Sequence, residues 1–220
     1  MILGRCGSGK SSCLASLLTK GYIYRGKSVF DEIVVFLGSQ DSISFFENLP
    51  CKNVVVLQEF DPEAFESYLN DLKTHQMERL SKNKSPLNVA IIFDDFVGQN
   101  LMKHSNGKAS PLERLALTSR HEANATLFFL SQVYKNTGFS QPSIRNNITT
   151  YVIYQMTKPE IEKIADEHCN ELTPDEFIEE YNKVMKTPHN FMVIDYRRPL
   201  NQRITERFTK PIKKSIEVDR

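Results

Sequence analysis

The sequence predicts an α/β protein, a three-layer α/β/α arrangement around a mainly parallel central sheet. Three observations carry that expectation. Six short runs rich in β-branched and aromatic residues recur at 32–37, 53–57, 89–93, 126–130, 149–154 and 191–196. Stretches of helical periodicity fill most of the intervals between them. A glycine-rich loop at 4–11 joins apolar Met1, Ile2 and Leu3 to the first of those helices. Alternation of this kind implies parallel strands with helices on both faces.

The six runs are too short for helices and too apolar for half-exposed strands, so each is expected to be buried on both sides of a covered sheet. The first helix is expected over 11–20, with Leu14, Leu17 and Leu18 at helical spacing. The second, over 62–80, carries Phe65, Leu69, Leu72 and Met77 and opens with Asp61-Pro62, a cap followed by a first-turn proline. Further helices are expected over 111–123, 159–169 and 174–185, each opened by a proline. Only three residues precede Gly4, whereas strands usually run about 5–6 residues. Either the natural chain begins further upstream or its first strand is very short.

Composition narrows the classes. The 220 residues, 40% hydrophobic and 25% charged, suit one large domain or two small ones. They exclude a collagenous, coiled-coil or wholly disordered chain. The longest apolar runs, 33–37 and 127–130, fall far below the ~18–20 residues needed to span a bilayer. No signal-peptide stretch opens the chain. Cys6, Cys13, Cys51 and Cys169 form no CxxC pair, which argues against structural zinc or disulfides and for reduced thiols. A soluble, intracellular protein is expected. The net charge of +1 hides an asymmetry: residues 197–220 hold 8 basic and 3 acidic residues, the first 196 hold 20 and 24. The expected division is a body over 1–196 and a basic tail over 197–220.

Gly4-Arg5-Cys6-Gly7-Ser8-Gly9-Lys10-Ser11 matches G-x-x-x-x-G-K-[ST] in full. Glycines let such a loop aim its N–H groups at phosphate oxygens, Lys10 places a cation on the β- and γ-phosphates, and the Ser11 hydroxyl can ligate Mg²⁺. These eight residues, with Ser12 behind them, are the candidate contacts of ATP. Cys6 invites a redox reading, but a small spectator side chain is the simpler one.

The run at 89–93 ends in Asp94-Asp95. Carboxylates at the tip of an apolar strand are costly unless paired or bound to metal. Beside a phosphate loop, Asp94 is expected to hold Mg²⁺ and Asp95 to act as general base toward water. The run at 126–130 ends in Ser131-Gln132, and the Gln132 amide is a candidate sensor of the γ-phosphate or the lytic water. A solvated polar turn remains the alternative.

With these elements in order, the chain resembles the additional-strand, RecA-like P-loop ATPases of the FtsK/HerA group. Within it, the closest likeness is to the poxvirus-type genome-packaging ATPases of large DNA viruses and virophages. The residues carrying the likeness are GRCGSGKS at 4–11, IIFDD at 91–95, SRHEANATLFFLSQ at 119–132 and SIRNN at 143–147. The chain departs from the group in Asp94-Asp95, where Asp-Glu is commoner, and in its short first strand. Rival classes lack support: Asn83-Lys84 is followed by Ser85-Pro86 rather than completing NKxD, no LSGGQ occurs, and 98–110 holds no arginine for a kinase lid.

The resemblance implies an ATPase that moves double-stranded DNA into a capsid as a ring, a pentamer or hexamer, near capsid or portal-vertex proteins. Its location would be the host cytoplasm or virus factory, or the virion. An arginine supplied across a subunit boundary is worth ~10³–10⁵ in rate in such chemistry. Arg120 is the first candidate, Arg145 the second, and a surface salt bridge the plain alternative for each. Lys103, His104 and Lys108 in the loop at 98–110, with Lys135 and Asn136, are candidate phosphate contacts of DNA, against an ordinary surface loop. The basic tail suits DNA, a capsid vertex, a neighbouring subunit or plain solvent. A cellular-type DNA pump or helicase, and a nucleotide-gated scaffold with weak turnover, remain the alternative functions.

Overall fold

The computed structural model describes residues 1–95, 110–135 and 141–212. In chain order, β1 (Ile2–Leu3) leads through the glycine loop to α1 (Lys10–Ser16), which a π-helical turn, Leu17–Gly21, extends. A small hairpin, β2 (Ile23–Tyr24) and β3 (Lys27–Ser28), precedes β4 (Glu32–Leu37), α2 (Ile43–Phe46), β5 (Asn53–Leu57) and α3 (Pro62–Ser81). Then come β6 (Val89–Asp94), α4 (Pro111–Thr118), a second π-helical turn at Ser119–Ala123, β7 (Ala125–Ser131) and α5 (Pro142–Arg145). The chain ends through β8 (Thr150–Ile153), α6 (Lys158–His168), α7 (Pro174–Val184), β9 (Met192–Asp195), β10 (Ile204–Glu206) and β11 (Lys210–Pro211). The protein is α/β with a mainly parallel sheet and flanking helices, as the alternation predicts. It divides into two compact units. One comprises Met1–Lys10, Gln132–Lys135 and Ile148–Arg220, the other Ser11–Ser131 and Asn136–Asn147.

The second unit holds four parallel strands in the order β7-β6-β4-β5. Their register aligns Phe36 with Phe93 and Phe93 with Phe129. The three rings stack at 5.0 and 5.6 Å between centroids. Phe60 and Phe65 pack against the same stack. Each fully buried ring contributes about 1.5–3 kcal/mol over exposure, and each aromatic pair about 0.5–1.5 more. Val89, Ala90, Ile91, Ile92 and Phe93 are all wholly buried, which explains why this run shows no alternation. β5 differs from expectation. Its residues alternate between exposed and half-buried, with Val55 44% and Leu57 40% exposed, because it pairs with β4 alone. On α3 the Asp61 carboxylate accepts from the Glu63 N–H as the cap predicts. The buried face, however, takes Gln76 and leaves Met77 exposed. The Gln76 amide donates to the Leu87 and Ala123 carbonyls and accepts from the Leu87 N–H, all at 2.8 Å. Satisfied this fully, a polar side chain is tolerated in a core.

The first unit begins parallel and turns antiparallel. β1 pairs parallel with β8, but β8–β9, β9–β10 and β10–β11 are antiparallel. Two helices rather than one separate β8 from β9, and the later connections are too short for a parallel crossover, which needs a dozen or more residues. The region read as a basic tail thus contributes β10 and β11 to this sheet. Among the described residues its cations are engaged. Arg197 makes a two-pronged contact to Asp195 at 2.9 and 3.0 Å, which holds that carboxyl below the usual carboxylate range. Arg198 donates to the Phe208 carbonyl, Arg207 to Asn190, and Lys210 pairs with Glu206.

Candidate nucleotide site

The phosphate loop is built on a floor formed by the residues after β8. The Arg5 N–H donates to the Gln155 carbonyl at 3.0 Å, and the Tyr154 N–H to the Leu3 carbonyl at 2.8 Å. The Tyr181 hydroxyl holds this floor from α7, accepting from the Met156 N–H at 2.7 Å and donating to the Tyr154 carbonyl at 3.0 Å. A Cβ on Gly4 would lie 2.6 Å from both Tyr154 Cβ and Ser8 Oγ, so the tight approach requires glycine. Gly7 and Gly9 turn the chain at φ +71° and +103°, a region costly for any residue with a Cβ. Arg5, Cys6, Gly7 and Ser12 are exposed, whereas Lys10 is 5% exposed and its Nζ donates to the Arg5 carbonyl at 3.3 Å. The Ser8 hydroxyl is buried without a hydrogen-bond partner among the described residues. A buried donor of this kind fits a phosphate oxygen.

The two residues expected to hold the metal meet in the second unit. The Ser11 hydroxyl donates to Asp94 Oδ2 at 2.8 Å, and Asp94, the last residue of β6, is 1% exposed. Hydroxyl and carboxylate 83 residues apart in sequence are in contact, and both are oxygen donors suited to Mg²⁺. Ser42, which belongs to no motif, lies with its hydroxyl 3.4 Å from that of Ser11. Asp95 has a left-handed backbone at φ +49°, fixed by its N–H donating to the Leu130 carbonyl. The Ser11–Asp94 donor set fits Mg²⁺, and the loop by itself fits a phosphate group.

No family model matches the chain, and no curated protein sequence matches it. Solved structures do. The genome packaging NTPase B204 of Sulfolobus turreted icosahedral virus 2, in complex with AMPPCP, superposes with a TM-score of 0.56 at 18% identity, covering 96% of each chain. The DNA-packaging ATPase B204 of Sulfolobus turreted icosahedral virus gives 0.56 at 20% identity, again over 96% of each chain. EssC (ATPases 2 and 3) of Geobacillus thermodenitrificans gives 0.59 at 13% identity over 88% of this chain and 37% of its own. The fold is that of the P-loop NTPases.

Within this P-loop NTPase fold, the other expected site residues fall as follows. β6 and β7 pair with Asp94 opposite Leu130, Ser131 is wholly buried, and Gln132 follows it, exposed. Arg120 is exposed on the π-helical turn Ser119–Ala123, and Arg145 is half-buried at the end of α5. The described structure brings Ser11 to Asp94 and Gly4 to Ser8, and it does not join Arg120 to either carboxylate of the acidic pair. Lys135 is ion-paired with Glu167 at 2.5 Å. Lys103, His104, Lys108 and Asn136 lie outside the described residues. No helix among the described residues is long and apolar enough to cross a membrane.

Proposed function

We propose that this protein is an ATP-hydrolysing motor that moves double-stranded DNA into a viral capsid. The observation that carries the reading is the contact between Ser11, the last residue of the phosphate-loop motif, and Asp94. The packaging assignment draws on the two viral packaging enzymes, which match over 96% of each chain; EssC is matched over 37% of its own length.

The loop N–H groups, Lys10 and the Ser8 hydroxyl bind the phosphates of ATP. Ser11 and Asp94 hold Mg²⁺, whose charge offsets that of the β- and γ-phosphates when bound. Asp95 takes the proton of the attacking water, and Gln132 orients that water. Arg120, exposed, acts on a neighbouring subunit in a ring of five or six; Arg145 is the alternative. DNA is gripped through its phosphates, without sequence preference and with strong salt dependence.

Displacement of a third strand from a triplex-bearing linear duplex tests the reading. ATP-dependent displacement by the wild type, lost on Lys10→Ala and suppressed by raised salt, is the expected result. ATP turnover without displacement at any salt or protein concentration would reduce the protein to a nucleotide-gated scaffold.

A further inference from the structure

Three helices open with the same signal, a Ser or Thr followed three residues later by Glu: Ser110/Glu113 on α4, Thr157/Glu160 on α6 and Thr173/Glu176 on α7. In α4 and α7 that glutamate folds back onto its own cap residue, Glu113 accepting from the Ser110 N–H and Glu176 from the Thr173 N–H. This reciprocal arrangement is the ordinary use of the motif. In α6 it is broken: the Thr157 side chain caps nothing. Glu160, 9% exposed, turns away to accept from the backbone N–H of Tyr134 at 2.6 Å, with the Lys135 N–H as a further donor. Its other oxygen takes the Lys163 ammonium at 2.5 Å. Burial pushes the Glu160 carboxyl up, but Lys163 and the two backbone donors outweigh it and hold the group below its ordinary range.

The segment so gripped is the one that follows Gln132. Two more residues of α6 hold it. The Tyr134 hydroxyl, wholly buried, contacts the Glu167 carboxylate and lies 2.7 Å from His168 Nε2. The other ring nitrogen of His168 lies 2.6 Å from the Tyr196 hydroxyl beyond β9. Glu167 also pairs with Lys135. Helix α6 has therefore given up its own cap in order to fix the backbone of residues 134 and 135.

We propose that Glu160 is a positioning residue for ATP hydrolysis, setting through the backbone of Tyr134 and Lys135 the place from which Gln132 meets the γ-phosphate or lytic water. The inference rests on the sensor role of Gln132 given above. A carboxylate that accepts consecutive N–H groups fixes the intervening dihedrals, and a misplacement of the order of 1 Å at a reacting group costs up to ~10²-fold in rate. Removing a purely structural contact would instead lower stability and leave kcat of the folded fraction intact.

The test is a double-mutant cycle on duplex-stimulated ATPase of the full chain, with Glu160→Gln, Gln132→Ala and the pair. Thermal melts correct each rate for folded protein. Glu160→Gln should lower kcat about tenfold with KM for ATP within about twofold of wild type, and should add nothing in the Gln132→Ala background. Tyr134→Phe, which keeps the backbone donor and loses only the hydroxyl contacts, should show a smaller loss that likewise vanishes beside Gln132→Ala; it also serves if Glu160→Gln does not fold. Wild-type turnover in Gln132→Ala would overturn the sensor role and this inference with it. A slow Gln132→Ala combined with additive losses, or with unimpaired Glu160→Gln and Tyr134→Phe, would overturn this inference alone.

Discussion

The two units hold their functional residues by different physics. In the unit running from Ser11, the acidic pair sits at the end of β6, a strand with no exposed side chain before Asp94, locked by the Phe36–Phe93–Phe129 stack. In the other, the phosphate loop and the Gln132 turn rest on polar clamps: Tyr181 under the loop floor, Glu160, Glu167 and His168 around Tyr134. Apolar packing is non-directional and fixes where a strand is. Hydrogen bonds are directional and fix how a turn is oriented. A metal ligand needs the first, since in the role proposed for it Asp94 has only to stay at the strand tip. A phosphate cradle and a sensor amide need the second. Substitutions in the aromatic stack should therefore be felt as stability, and those in the clamps as activity.

The largest expected effect belongs to the acidic pair itself. Asp95→Asn should still bind MgATP, measured by a fluorescent analogue, while turnover falls by ~10²–10⁴, the usual worth of a positioned base. Asp94→Asn should lose Mg²⁺-dependent binding and turnover together. Identical behaviour of the two would mean that the metal and base roles are divided wrongly. Next comes the stack. Phe93→Ala should cost about 3–5 kcal/mol in urea unfolding with little change in kcat of what remains folded. A large kcat loss at full folding would break the contrast between the units. The clamps come last, with the roughly tenfold, stability-independent effect expected of Glu160→Gln.

What the sequence disclosed and what it withheld divide along the same line. The phosphate loop is contiguous, so all its chemistry lies in eight neighbouring letters. β4 is legible to the residue because burial on a parallel sheet leaves an unbroken apolar run, and β5 because its run at 54–57 is apolar and mostly β-branched although it is not buried. Exposure of Val55 and Leu57 is not, since an edge strand differs from a central one only in having one neighbour fewer. The inward turn of Gln76 in place of Met77 depends on carbonyls at Leu87 and Ala123, far along the chain. Glu160 shows the limit most plainly. Its local pattern matches those of Glu113 and Glu176, and only the fold supplies the competing N–H groups that draw it away from its own helix. The sequence could not choose among DNA, a capsid vertex, a neighbouring subunit and solvent for the charges from Arg197 on, because Asp195, Asn190 and Glu206, which bind Arg197, Arg207 and Lys210, are acceptors that composition cannot pair.

Steady-state ATP turnover of the full chain, with and without duplex DNA and with Lys10→Ala alongside, tests the central claim most directly. Mg²⁺-dependent hydrolysis should rise on adding duplex of any sequence, decline again as salt is raised, and disappear in Lys10→Ala while circular dichroism is unchanged. Turnover that persists in Lys10→Ala, or that is indifferent to DNA at every salt concentration, would contradict it.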